Sequence, residues 1–123
     1  MSKTTPENKL TNAVIDINPL SVNACWQGRR FKTKAYKDYE KELLLRLPSI
    51  EAPEGLLELH IKFYFKNYKM RDVDNPAKPI LDILKKKGWI KDDRFVYRLI
   101  LDKIPSKKNG VEIILKQYKG AEK

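Results

Sequence analysis

The sequence lacks the features of several large protein classes. Cysteine occurs once, at Cys25, among 123 residues, so no intramolecular disulfide can form, which is typical of a reducing compartment. No apolar run approaches the roughly 18 residues that a membrane span needs. The first ten residues are polar and contain no apolar segment of the signal-peptide kind. We therefore predict a cytoplasmic chain that is not exported and has no membrane partner.

Histidine is equally scarce, because His60 is the only one. It falls on the polar side of a predicted strand, where we expect a solvent-exposed side chain. A single cysteine without a convincing histidine partner is a poor candidate nucleophile. The sequence therefore does not support catalysis by a cysteine–histidine pair.

Charge, by contrast, is abundant and unbalanced. The chain has 26 Lys and Arg against 16 Asp and Glu, which gives a formal net charge of +10. A domain this basic attracts phosphate backbones or anionic membrane surfaces. No predicted helix combines a basic face with an apolar face of the interfacial kind, so a membrane surface is disfavoured. Nucleic acid is the favoured partner, although a purely solubilising surface would have the same composition.

The apolar pattern predicts one small α+β domain with two main helices and a mixed or antiparallel sheet. The domain spans residues 13–118, between a disordered N-terminus (1–12) and a flexible tail (119–123). The clearest strand covers residues 57–65, where apolar and polar residues alternate. We expect Asn109-Gly110 to close a hairpin between the last two strands. The predicted helices cover residues 33–47 and 76–87, and the other predicted strands cover 13–17, 95–104 and 111–117.

The stretch between the central strand and the last hairpin concentrates carboxylates. Five of the chain's eight aspartates lie between Asp72 and Asp93. If the segment before the second helix is extended, Asp72 and Asp74 point to the same side. Two adjacent carboxylates repel each other unless a cation lies between them, and a hard ion such as Mg²⁺ or Mn²⁺ suits such a pair. The alternative is that these aspartates only cap helices and bend the chain.

Two further features bear on this stretch. Lys78 could hold a phosphate and stabilise the charge that develops during attack, or it could form a surface pair with Asp82 four residues later. The loop over residues 21–34 interleaves aromatic and basic residues, as surfaces that track a nucleic-acid backbone do. It could equally be an ordinary loop anchored by Trp26 and Phe31. Its basic residues are Arg29, Arg30, Lys32 and Lys34.

The combined motif is specific. The run Arg71-Asp72-Val73-Asp74-Asn75, followed by Lys78, Asp82, Gly88-Trp89 and Asp92-Asp93, closely resembles the RusA family of Holliday-junction resolvases. The resemblance extends more weakly from about residue 14 to residue 117. It implies a homodimeric α+β endonuclease that binds four-way DNA junctions. Such an enzyme cuts two opposing strands symmetrically with Mg²⁺ or Mn²⁺.

Carried over by position, the resemblance assigns roles to residues of the motif. Asp72, Asp74 and Asp93 would be the metal ligands, and Lys78 would be the catalytic lysine. Asp82, Asp92 and Asn75 would have supporting or structural roles. Arg71 would join the basic residues of the 21–34 loop in binding DNA. Tyr64, Tyr68 and Trp26 are equal candidates for an aromatic residue that opens the junction.

Two other functions remain open from the residues alone. The first is a non-catalytic module that binds branched or single-stranded nucleic acid, with the aspartates capping the helix. The second is a metal-dependent nuclease of broader specificity, which also cuts flaps or plain duplex.

Overall fold

The computed structural model describes residues 10–28 and 31–119. Within them a four-stranded mixed sheet packs with two helices around one core, which confirms the predicted α+β class. Two very short strands pair separately as a small hairpin. In chain order the elements are β1 (Leu10–Ile15), β2 (Trp26–Gln27), β3 (Phe31–Lys32), α1 (Lys34–Arg46), β4 (Leu57–Phe65), α2 (Ala77–Lys87), β5 (Val96–Pro105) and β6 (Gly110–Gln117).

Strand β4 is the centre of the sheet. Its ends coincide with the prediction, and its residues alternate between buried and half-buried along the whole strand. The apolar side of β4 joins the core, because successive side chains of a strand point to opposite faces. The buried side chains of β4 are Leu57, Leu59, Ile61, Phe63 and Phe65, each at most 1% exposed.

The order of strands in the sheet is β1-β6-β4-β5. Strand β6 pairs antiparallel with both β1 and β4, whereas β5 pairs parallel with β4. The predicted hairpin between β5 and β6 is therefore wrong, because β4 lies between them. The segment around Asn109-Gly110 crosses over β4, and the Asn109 side chain accepts a hydrogen bond from the backbone N–H of Lys66 beyond the end of β4. Pairing β4, the most apolar strand, with a neighbour on each edge stabilises the fold more than the local hairpin that the Asn-Gly pair favours.

Both helices lie close to their predicted ranges. Helix α1 begins after Thr33, whose side chain accepts a hydrogen bond from the backbone N–H of Tyr36. Its buried face includes Tyr36, Tyr39 and Leu43, as the spacing predicts. Helix α2 ends at Gly88, which adopts φ 94°, a left-handed conformation that suits glycine.

The start of α2 differs from the prediction by one residue. The N-cap is Pro76 rather than Asn75, and no side chain caps the first turn. Pro79 is the third helical residue and is buried. The first N–H groups of a helix have no intrahelical acceptor, so a proline here removes no helical hydrogen bond.

Strand β1 begins at Leu10, three residues before its predicted start. Among the described residues, none of the helices has the length and apolar character that crossing a membrane requires.

Helix α1 offers a matched test of the core. Leu43 is fully buried, whereas Leu45 on the same helix is 74% exposed. We expect Leu43→Ala to lower the free energy of unfolding by about 2–5 kcal/mol through lost burial and a residual cavity. Leu45→Ala should change it by less than about 0.5 kcal/mol. Urea denaturation measures both, and equal losses would contradict the assigned helix face.

Candidate functional site

The motif occupies the crossover between the two parallel strands. After β4 the chain makes a short turn over Tyr68–Met70 and passes through Asp72 and Asp74 to the start of α2. After α2 a second short turn, Asp93–Phe95, leads into β5. Because β4 and β5 are parallel, the chain leaves one end of the sheet and re-enters at the other. Asp72 and Asp74 therefore precede the first turn of α2, and Asp93 follows its last.

Lys78 is the residue that connects these parts. Its ammonium group lies 3.1 Å from Asp82 and 3.5 Å from Asp93. The predicted pair with Asp82 is therefore present, and Asp93 is added to it from beyond the helix. The hydrogen bond to Asp82 is the main cause of a raised pKa of Lys78, which stays protonated. The side chain is 53% exposed, so it is accessible to a ligand in solvent.

Lys85 is a second cation at the same place. Its Nζ lies 3.8 Å from Asp93. Lys78, Asp82 and Lys85 are spaced i, i+4 and i+7, which puts them on one face of α2. Lys85 was not predicted as a site residue, although its spacing from Lys78 and Asp82 is visible in the sequence. Asp93 thus lies beside the polar face of the helix, held by one lysine from each half of it.

The electrostatics of Asp93 follow from these neighbours. Partial burial is the largest influence and favours the protonated form. Its effect is outweighed chiefly by the positive charges of Lys85 and Lys78. The pKa of Asp93 therefore lies below its ordinary value, and the carboxylate is ionised at neutral pH.

The other two predicted ligands have different surroundings. Asp72 is exposed, and its Oδ2 accepts a hydrogen bond of 3.0 Å from the side-chain amide of Asn75. Asp74 is also exposed, and its backbone carbonyl accepts from the N–H of Ala77 at 3.1 Å. Asp92 caps the turn before β5, where its Oδ1 accepts from the backbone N–H of Arg94 at 3.0 Å. Asn75 and Asp92 therefore both make local hydrogen bonds, and their supporting roles stay a prediction.

The fit of this arrangement to a metal ion has two sides. The carboxylate oxygens of Asp72, Asp74 and Asp93 are the donors that Mg²⁺ and Mn²⁺ prefer. Within residues 10–28 and 31–119, however, no group of three or more His, Cys, Asp or Glu side chains is placed to hold an ion. The donor chemistry fits, but the three carboxylates are not gathered into one set.

Two cavities flank the motif. A small cavity of about 130 Å³ lies beside Asp72 and Asn75 and is also lined by Ser21 and Arg71. A more open groove of about 360 Å³ runs beside Asp93. Its other walls are the side chains of Leu81, Arg94, Val96 and Leu99.

The predicted DNA-binding residues are only partly assembled near this site. Lys32 pairs with Glu40 at 3.1 Å, and Lys34 pairs with Asp38 at 2.8 Å. Lys34 is 89% exposed, so solvent screens that pair strongly. Arg29 and Arg30 lie outside the described residues.

Arg71 also differs from a free surface cation. Its guanidinium group donates to the Asn18 side chain and to the Pro19 carbonyl and lies over the ring of Phe65.

The three aromatic candidates are now distinguishable by position. The Tyr64 hydroxyl donates to Glu112 at 2.9 Å on the polar face of the sheet. Trp26 is 39% exposed and packs edge-on against Tyr36, and Tyr68 is 36% exposed. Phe31, which was predicted only as a possible anchor of the loop, is more exposed than these three residues, at 72%.

The lysine contacts of Asp93 predict a measurable titration. Replacing Lys85 by Gln should raise the pKa of Asp93, because it removes a positive charge 3.8 Å from the carboxylate. Because the pKa of Asp93 is lower in the folded than in the unfolded chain, its ionised carboxylate stabilises the fold at pH values above the unfolded-state pKa. This stabilisation is lost as the pH falls through the folded-state pKa. On acidification, the free energy of unfolding of the Lys85→Gln variant should therefore fall less than that of the wild type. Carboxyl NMR titration of the metal-free chain measures the pKa directly.

Lys86→Gln is the matched control, because Lys86 pairs with Glu40 at 3.3 Å instead. It should leave the titration of Asp93 unchanged. An unchanged titration in Lys85→Gln would show that the contact of Lys85 with Asp93 has no electrostatic effect.

Comparison with known proteins identifies the family of this chain. No curated protein matches the chain. The family model described as "Endodeoxyribonuclease RusA" matches residues 21–116, a range that contains the motif, both helices and three strands of the four-stranded sheet. That range is well over half of the chain, so the protein belongs to the RusA family of endodeoxyribonucleases, which act on Holliday junctions.

Proposed function

We propose that this protein resolves four-way DNA junctions by paired, symmetric cuts that require a divalent metal ion, Mg²⁺ or Mn²⁺. The observation that carries the proposal is the convergence of Lys78 and Asp93, which are fifteen residues apart and lie 3.5 Å from each other. An exposed lysine tied to ionised carboxylates, in a chain of net charge +10, is suited to meet a phosphodiester. Family membership supplies the reaction class.

In this proposal Asp72, Asp74 and Asp93 are the residues that would hold the ion. A bound divalent ion would polarise the phosphodiester and activate water for hydrolysis. Holding it requires the carboxylate of Asp93 to be released from Lys78 and Lys85, because the ammonium groups and the metal compete for the same oxygens. Lys78 then has its charge available for the phosphate, where it stabilises the negative charge that grows during attack.

Affinity for DNA comes mainly from basic residues outside the motif. Each Lys or Arg that neutralises a phosphate releases condensed counterions, and binding therefore weakens as salt rises. Lys32 and Lys34 are candidates near the hairpin, together with Arg29 and Arg30. The partners of Lys32 and Lys34 are the acidic side chains of Glu40 and Asp38, which a phosphate can replace.

A homodimer follows from the proposed symmetric cutting, since a two-fold dimer matches a two-fold junction. The open sheet face, which we define as the side of the sheet opposite the core, suits contact with a second copy. Register pairs assign its residues to the same side. They are Leu10, Asn12, Val14, Glu58, His60, Lys62, Tyr64, Arg98, Ile100, Asp102, Ile104, Glu112, Ile114 and Lys116.

The open sheet face is electrically balanced. Its three Lys and Arg residues are matched by three Asp and Glu residues, so the whole formal charge of +10, counted with histidine neutral, resides elsewhere. The charges pair within the face, for example Lys116 with Glu58 at 3.6 Å and Lys62 with Glu112 at 4.0 Å. Two such faces meet without net repulsion, whereas the basic remainder of each copy repels its counterpart and attracts DNA.

The proposed activity has a direct test. A labelled four-way junction is incubated with Mg²⁺, Mn²⁺ or EDTA, beside matched duplex and flap substrates. We expect paired symmetric nicks on the junction alone, no cutting in EDTA, and loss of cutting in Asp74→Asn with junction binding retained. Asp38→Asn is the control, because Asp38 is an exposed aspartate of α1 that pairs with Lys34.

Other outcomes of this assay separate the alternatives. Metal-dependent cutting of all three substrates would indicate a nuclease of broader specificity. Binding without cutting in any metal would leave a nucleic-acid-binding module in which the aspartates are structural. Normal cutting by Asp74→Asn would refute the metal assignment.

The dimer predicts a solution mass of twice 14.4 kDa. Leu10 and Val14 are 55% and 65% exposed on the open sheet face, so replacing both by Glu should shift the protein toward monomer. Leu45→Glu, on the solvent side of α1, should leave the mass unchanged. Sedimentation equilibrium measures both. A dimer that survives the double substitution has its interface elsewhere, and a monomeric wild type excludes the dimer.

A further inference from the structure

Leu99 is unusually exposed for a residue on the core side of the sheet. In the register of β5 with β4 it lies opposite Leu59, which is fully buried. Leu99 nevertheless remains 42% exposed, because β5 is an edge strand and an open groove lies beside it. Part of the apolar side of β5 is therefore available to a ligand.

The groove beside Leu99 is the one of about 360 Å³ that Asp93 also lines. Leu81 of α2 and Val96 of β5 complete its apolar walls, and both pack against the core, which fixes their positions. Sites for small molecules typically measure about 300–1,000 Å³, and this groove lies at the lower end of that range. It is therefore a preformed apolar surface that suits a ligand of the size of a single nucleobase.

Three cations surround this apolar surface. Leu81 lies three residues after Lys78 and four before Lys85, so the two ammonium groups flank it on one face of α2. Arg94 forms part of the groove wall, and its side chain is 77% exposed. An apolar surface between cations matches a nucleotide, in which the face of a base is joined to a phosphate.

The candidate cleavage site brings a DNA strand to this place. In the proposed function Lys78 binds the phosphate to be cut, and Asp93 lies 3.5 Å from Lys78. A base next to that phosphate is then within reach of the groove, because Asp93 is also part of the groove wall. Proteins that take a base out of its stack hold it against aromatic or apolar side chains.

Arg94 has hydrogen-bond donors for the edge of such a base. Its Nε lies 3.6 Å from Asp92, and among the described residues its two terminal nitrogens have no hydrogen-bond partner. Two parallel N–H groups match two neighbouring acceptors, such as O6 and N7 of guanine or O2 and N3 of cytosine. Adenine and thymine instead alternate donors with acceptors. The chemistry of Arg94 therefore favours guanine or cytosine.

We infer that this groove is a subsite for one unstacked base of the strand that is cut, with Leu81 and Leu99 against the face of the base and Arg94 donating to its edge. The inference rests on the proposed function for the choice of strand, but binding of the base can be measured without cleavage.

A fluorescent base tests the subsite directly. Pyrrolocytosine keeps O2 and N3 of cytosine, and its emission is quenched when it stacks in DNA. It is placed at one position at a time around the crossover of a four-way junction, and the protein is added in EDTA so that no strand is cut. We expect emission to rise at the position next to the phosphate that is cut in Mg²⁺.

Leu99→Gln removes apolar surface from the groove without a change of charge. It should lose at least half of the rise in emission, whereas junction affinity should stay within about twofold of wild type because the phosphate contacts remain. Leu45→Gln is the matched control, because Leu45 is an exposed leucine on α1, away from the groove. It should keep the whole rise. Thermal melting identifies any variant that fails to fold.

Arg94→Lys keeps the charge but loses the pair of parallel donors. Matched junctions that differ only at the base next to the cut measure the preference in Mg²⁺. The wild type should cut after guanine or cytosine about 5- to 150-fold faster than after adenine or thymine, the range for one bidentate contact to a base. Arg94→Lys should reduce this preference to less than about threefold.

The outcomes separate this inference from the proposed function. A rise in emission without cutting in any metal would refute the proposed function and leave the subsite. Cutting without a rise at any position would refute the subsite alone. An equal rise with Leu99→Gln would place the unstacked base outside the groove and overturn the inference. A Leu99→Gln variant with altered solution mass and unaltered emission would also overturn it, because the groove would then bind a second copy of the chain.

Discussion

Burial of one face of β4 is the interaction on which the rest of the structure depends. Its side chains from Leu57 to Phe65 alternate into the core, and β4 accepts β6 on one edge and β5 on the other. Because β5 is parallel, the chain must cross from the far end of β4 back to its beginning. Helix α2 makes that crossing. Along the chain the motif is therefore divided between the segments before and after one helix, and the turn after α2 brings Asp93 back beside that helix.

The divided motif explains how the carboxylates are held. Lys78 and Lys85, on the polar face of α2, lie 3.5 and 3.8 Å from the carboxylate of Asp93. Their charges keep that carboxylate ionised, and they do so in a chain that has far more cations than anions. The same ammonium groups are half-exposed and are attractive to a phosphate. Carboxylate and DNA therefore compete for the same cations, so DNA binding would release oxygens that a metal ion could use.

Much of the fold was predictable because the apolar pattern within a single element determines whether it forms a helix or a strand. The alternation in β4 and the helical spacing in α1 each reflect one face turned to the core, and both elements lie where the pattern places them. The pairing of strands depends on residues that are far apart in the sequence. Asn109-Gly110 is a strong turn signal, yet β5 and β6 take opposite edges of β4. The short β2–β3 hairpin was missed for a related reason, since two-residue strands have no detectable period.

The same distinction holds for the site, where the types of residue could be predicted from the sequence but their contacts could not. Aspartate spacing and Lys78 were visible in the sequence, but the contact of Lys78 with Asp93 depends on how the chain turns after Gly88. The hydrogen bonds of Arg71 go to Asn18 and Pro19, which precede it by more than fifty residues. A motif shows which charges are available, whereas only the fold shows which of them are already satisfied. The sequence shows Arg71 only as a basic residue beside a carboxylate pair, whereas the fold shows that two of its five N–H donors are already used within the chain.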